Sequence, residues 1–135
     1  MIVVDTNIIA YLLLSGENSE RASLALRRDP IWAVPILWRS EFRNVLALYI
    51  RKSILTTAQA VEIIEKADRL IAGREFSLSS LLVLELVAQS NCSAYDCEFV
   101  ALALDLGVPL LTADSRILDQ FPQVAISLVD YTDFN

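Results

Sequence analysis

The sequence predicts an α/β protein with a mostly parallel central sheet and helices on both faces. Three observations predict it. Short apolar runs, at residues 2–4, which are rich in β-branched residues, and 108–111 among others, alternate with stretches of helical periodicity. Four carboxylates, Asp5, Glu41, Asp96 and Asp114, fall on the boundaries between those runs. No repeat, low-complexity tract or linker breaks a chain of 135 residues with only three glycines and four prolines, so one domain over residues 1–135 is expected.

Each element has a local reason. Residues 2–4 read as a buried strand, and Thr6-Asn7 as the cap of a helix running through Leu12. Ser15-Gly16-Glu17-Asn18 is a loop; Ser19 opens a helix to about Arg28, ended by Asp29-Pro30. Residues 31–34 form a short strand. Pro35 suits the first turn of the following helix, residues 35–52, whose apolar positions Leu37, Val45, Leu48 and Tyr49 recur near helical spacing. Thr56 and Gln59 make a capping box for a helix reaching Ile71. Residues 76–78 are a short strand, and the apolar stretch 79–90 a helix stopped by Asn91. Ser93 opens the next helix and Gly107 closes it. Residues 108–111 form a strand, 115–119 a short helix and 125–129 a last strand.

Composition narrows the chemistry. There is no histidine, which removes Ser-His-Asp triads, Cys-His dyads and HExxH zinc sites. Cys92 and Cys97 are too few for a zinc cage and read as small buried hydrophobes. The net charge of −6 gives no global basic field for nucleic acid. Four of the seventeen acids are candidate metal ligands, however, and a bound cation offsets their charge. No apolar run reaches the ~18 residues of a membrane span. The N-terminal apolar stretch lacks a basic flank and is interrupted by Asp5, so neither a membrane segment nor a secretory signal is expected, and the expected compartment is the cytoplasm.

In a parallel α/β sheet, strand ends and helix starts converge on one edge, where ligands bind. Acids gathered there without cationic partners repel, and a hard divalent cation held by oxygen is the usual remedy. Each acid also has a purely structural role open to it. Asp5 and Asp114 sit where aspartate caps helices, and Asp96 lies in the first turn of a capping-box-like start opened by Ser93. Glu41 is a helix acid, but Arg39 and Arg43 stand two positions away on either side and point elsewhere. It shares its face with Leu37, Asn44, Val45 and Leu48, where an acid needs a partner or a metal. Asn7, Thr112 and Ser115 can support the set. Arg39, Arg43 and Arg116 are candidate phosphate contacts, and Glu98 and Asp119 are reserve acids.

The order strand–Asp, helix–Glu, helix–Asp, strand–Thr-x-Asp resembles the PIN-domain family of metal-dependent ribonucleases, and most of all its VapC-type toxins. The anchors are Val3-Val4-Asp5-Thr6-Asn7, Ser40-Glu41, the run from Tyr95-Asp96 to Ala103, and Leu111-Thr112-Ala113-Asp114. The resemblance implies a three-layer α/β/α sandwich and cleavage of RNA phosphodiesters with Mg²⁺ or Mn²⁺. Asp5, Glu41, Asp96 and Asp114 form the implied catalytic and metal-binding set, with Thr112 supporting. The chemistry agrees: divalent ions can both activate water and neutralise phosphate charge.

Two other readings stay open. A haloacid-dehalogenase-like phosphatase also places an Asp after its first strand, but wants a second two residues on, where this chain has Asn7. The other is a non-catalytic binding module of the same fold. Mean hydropathy is +0.48, high for a small domain with much surface per volume. A homodimer is therefore expected, together with an apolar groove for a partner segment. The resemblance implies an antitoxin there, with a basic side chain entering the acidic pocket.

Overall fold

The computed structural model describes residues 1–133. Its elements run β1 (Ile2–Val4), α1 (Thr6–Leu13), α2 (Ser19–Arg28), β2 (Trp32–Pro35), α3 (Trp38–Arg51), α4 (Thr57–Ile71), β3 (Glu75–Phe76), α5 (Ser80–Ala88), α6 (Ala94–Leu106), β4 (Leu110–Thr112), α7 (Ser115–Gln120), β5 (Ala125–Ser127) and α8 (Leu128–Thr132). The last two positions of the expected domain, 134 and 135, lie outside the described residues.

The five strands pair in the order β3-β2-β1-β4-β5, and every pairing is parallel. The expected α/β class and parallel sheet are therefore observed. Strand side chains alternate between two cores, as the period of two requires. Ile2, Val4, Trp32, Val34 and Leu111 join a cluster with Ile8, Ala25, Trp38, Phe42, Ala67 and Tyr131. Thus α1, α2, α3, α4 and α8 cover one face. Val3, Ala33 and Leu110 join Val83, Leu86, Phe99, Val100, Leu102 and Ile117, so α5, α6 and α7 cover the other. This is the three-layer sandwich. β1 is central, buried on both faces, and its run of three apolar residues follows from that.

The strand order reverses between β1 and β4, so the C-terminal ends of these two neighbours flank a switch point. Asp5 follows β1 directly, and Asp114 follows β4 by two residues. The α6 helix is driven into the sheet by six buried residues, from Cys97 to Ala103, which fixes the position of its first turn. Gly107 ends it in the left-handed region at φ 66°, which favours glycine.

Four local readings need correction. Asp5, rather than Thr6-Asn7, caps α1, because its carboxylate accepts from the Ile8 N–H. Pro35 is the last residue of β2, not the first turn of α3, which starts at Trp38. Val34 and Ile36 donate to Arg74 and Phe76 on the β3 side. By alternation the Pro35 nitrogen faces β1, where the pairing runs no further than Val3 with Ala33, so a residue without an N–H sits where that ladder ends. β4 is shifted to Leu110–Thr112, which places Thr112 inside the strand. Finally, β5 ends at Ser127, and Leu128 begins a helix instead of continuing the strand. The Ser127 hydroxyl caps it by accepting from the Asp130 N–H at 3.0 Å, a signal hidden within an apolar run.

Candidate active site

The four acids meet at the C-terminal edge of the sheet. Asp5, Glu41, Asp96 and Asp114 line one cleft of about 260 Å³, together with Thr6, Asn7, Asn44, Val45, Phe99 and Ile117. Four separate elements or junctions supply them. No lysine or arginine is among the lining residues.

Asp5 is buried, only 6% exposed, and its carboxylate is held from both sides. Oδ1 accepts from the Ile8 N–H at 3.1 Å. Oδ2 accepts from the Ala113 N–H at 3.1 Å and from the Thr112 hydroxyl. Burial raises its pKa above the usual carboxylate value; the three hydrogen bonds oppose this, and the Asp114 charge adds to it. Thr112 Oγ1 also accepts from the Asp114 N–H at 3.0 Å, so one buried hydroxyl links the ends of β1 and β4.

Asp114 caps α7 through a single oxygen: Oδ1 accepts from the Arg116 and Ile117 N–H groups at 2.8 and 3.2 Å. Its capping role and its place in the cleft coexist. Asp96 lies in the first turn of α6, where its own N–H donates to the Ser93 hydroxyl at 3.0 Å. Burial and the Asp114 charge raise the Asp96 pKa, while Ser93 and Arg116 lower it.

Glu41 comes from the flank of α3. The face it shares with Asn44 and Val45 opens into the cleft, whereas Trp38, Phe42 and Leu46 point into the core. Glu41 Oε1 accepts from the Thr6 hydroxyl at 2.7 Å. Its pKa is raised by burial and by the charges of Asp5, Asp96 and Glu98, with the Thr6 bond opposing. Thr6 was legible only as a cap; its reach to a residue 35 positions away belongs to the tertiary fold.

The remaining candidates divide. Asn7 lines the cleft from its exposed rim, and Thr112 supports Asp5 from below. Ser115 is exposed and does not line the cleft. Arg39 is elsewhere: its guanidinium bridges Glu75 at 2.7 Å and Asp68 at 2.6 Å, beside Trp38, which clamps it outside the cleft lining. Arg43 is exposed and outside the cleft lining. Arg116 alone among the three arginines makes its charge felt at Asp96. Glu98 lines a separate pocket beside α5, and Asp119 is exposed and outside the cleft.

These oxygens suit a hard cation. Among the described residues, which include no histidine, no group of three or more acidic or thiol side chains stands close enough together to hold a metal ion unaided. Mg²⁺ does not require one, because it retains several waters and uses one or two carboxylates plus substrate phosphates. Asp5, Asp96, Asp114 and Glu41 are the side chains that would hold it.

The electrostatics predict a pH effect. A Glu41 pKa raised in the fold means that the unfolded chain loses this proton first as pH rises. Stability therefore falls from about pH 4.5, glutamate's ordinary value, up to the raised folded value, and is flat beyond. Glu41→Gln keeps an acceptor for Thr6 and removes the charge. Its stability relative to wild type should be equal at pH 4 and higher at pH 8 in urea unfolding without divalent ions. A pH-independent difference would refute the sign.

The PIN domain family model matches residues 2–125, and the chain belongs to the PIN domain family. Ribonuclease VapC3 of Pyrobaculum aerophilum is 29% identical to it over 124 residues, covering 90% of this chain and 95% of that protein. The VapC-like order of the acids thus has a counterpart along almost the whole chain. Two crystal structures share the fold. FitAcB from Neisseria gonorrhoeae superposes with TM-score 0.75 at 19% identity, over 95% of this chain and 98% of that one. PAE2754 from Pyrobaculum aerophilum gives 0.73 at 19% identity, over 98% and 97%.

Proposed function

We propose that this chain is a Mg²⁺- or Mn²⁺-dependent endoribonuclease, the toxin of a type II toxin–antitoxin pair, acting on RNA in the cytoplasm. One observation carries the reading: four carboxylates from four parts of the chain converge on a single cleft at the switch point, with no lysine or arginine lining it. PIN-family membership and the likeness to a protein named as a ribonuclease support it. A bound divalent ion supplies activation of water and neutralisation of phosphate charge.

The chain's own residues do the positioning. Asp5, Asp96 and Asp114 hold the cation, and Asp5 is kept in one pose by Ile8, Thr112 and Ala113. Glu41 is tied to Thr6 by one oxygen and orients the attacking water with the other. Arg116, whose charge acts on Asp96, takes a substrate phosphate. Among the described residues no helix is long and apolar enough to cross a membrane. Purified protein is expected to cut RNA with Mg²⁺ or Mn²⁺ and to stop in excess chelator. Equal cleavage in chelator, with contaminating nuclease excluded, rejects the proposal.

The partner reading rests on α5. It buries Val83 and Leu86 and leaves Leu81 and Leu84 at 69% and 60% exposed, with Tyr95 at 63% on α6. Apolar surface of this kind favours association, so we expect a homodimer in solution and an antitoxin whose basic side chain competes for the acidic cleft. Light scattering at micromolar concentrations checks the first: a monodisperse monomer counts against it.

A further inference from the structure

A second pocket adjoins the acidic cleft. It has a volume of about 270 Å³ and shares Asn7 and Val45 with the cleft. This is near the low end of ~300–1,000 Å³ ligand sites. Tyr11 of α1 and Tyr49 of α3 line it, both partly buried against the core cluster. Two amides stand on it as well. Asn18 occupies the N-cap position of α2, yet its side chain makes no capping hydrogen bond. Asn7 makes no side-chain hydrogen bond among the described residues.

We propose that this pocket receives an unpaired nucleobase of the RNA strand, next to the phosphate held in the acidic cleft. The inference rests on the ribonuclease reading and extends it to how substrate is held. The continuity of the two pockets through Asn7 places a base within a nucleotide or so of the reacting phosphate. The lining decides which part of the nucleotide enters. It carries no lysine or arginine, and Glu17 at its edge repels phosphate, so the backbone is excluded. Aromatic rings beside free amides match a base instead: a π-face to stack on, and donors and acceptors for its edge.

The test uses a labelled single-stranded RNA 20-mer with Mg²⁺, the full chain, and the variants Tyr49→Phe and Tyr49→Leu. Stacking needs the ring and not the hydroxyl, so Tyr49→Phe should keep the wild-type KM. Tyr49→Leu fills similar apolar space without the π-face and should raise KM by about 5–150-fold, the range of one lost base stack. Its thermal midpoint reports whether the fold is intact. Independently, once the cut is mapped, RNAs made abasic at single positions beside it should be poorer wild-type substrates at one of those positions. That RNA should lose its sensitivity to Tyr49→Leu. A folded Tyr49→Leu protein with wild-type KM, or abasic RNAs all cut as fast as the parent, overturns the proposal and leaves the pocket to a protein segment. If the unmodified protein cuts no RNA with divalent ions, the ribonuclease reading itself falls, and this inference with it.

Discussion

Asp96→Asn and Asp114→Asn are expected to lower RNA cleavage by more than about 100-fold while the protein stays folded. Losing even an outer-sphere partner of a metal site typically costs ~10–100-fold, and these residues are proposed to face the ion itself. Their helices should survive. The start of α6 is capped by Ser93, and Asp114 caps α7 through one oxygen that asparagine also has. Asp5→Asn should be equally inactive but less stable than either. The Asp5 carboxylate accepts a backbone N–H on each oxygen, from Ile8 and from Ala113. An amide has one acceptor, so its NH₂ must confront one of those donors in a buried site, at a cost of about 1–3 kcal/mol. Removing a buried charge offsets part of this, as it does at Asp96, and the ranking follows from the unmatched donor. Cleavage assays and thermal unfolding on the same three variants check both halves. Near-wild-type activity in any of them would reduce that acid to a structural role.

Trp38→Ala is expected to cost roughly 3–5 kcal/mol, as large aromatic truncations in cores do. Trp38 is fully buried, packs on Phe42 with ring centroids 5.9 Å apart, and donates its indole N–H to Glu75. A loss of that size is a large share of the ~5–15 kcal/mol that holds a typical domain together. Trp38→Phe separates the two contributions. It keeps an aromatic ring and loses the donor, while Glu75 retains Arg39 at 2.7 Å. We therefore expect a clearly smaller loss for phenylalanine. Guanidinium midpoints decide it, and equal losses for both variants would make the hydrogen bond, not burial, the dominant effect.

Much of the architecture was legible because local rules and global fold agree. The Thr56–Gln59 capping box forms, with reciprocal bonds of 2.9 and 3.1 Å. Ser93 and Gly107 bracket α6 as read from the residues. Errors fall where two signals compete. Pro35 obeys a helix-start rule and a strand-end rule equally well, and only its pairing with Phe76 of β3 settles which applies. Leu128 and Val129 look like strand by composition, yet Ser127 and Asp130 turn the chain into α8.

The candidate site divides along the same line. From sequence alone came the four acids, because a carboxylate at a strand end or on an apolar helix face is visible in one dimension. The absence of histidine, which confines catalysis to other groups, was also visible. Tertiary structure alone decided the company those acids keep. Arg39 is held away from the cleft because Asp68 and Glu75, 29 and 36 positions away, claim its guanidinium. Thr6 entered because α1 and α3 bring its hydroxyl to Glu41, and Thr112 was shown to link two acids because β1 and β4 are neighbours in the sheet. Residue type and spacing record what a side chain can do. Which partner it meets depends on chain crossings that no local pattern encodes.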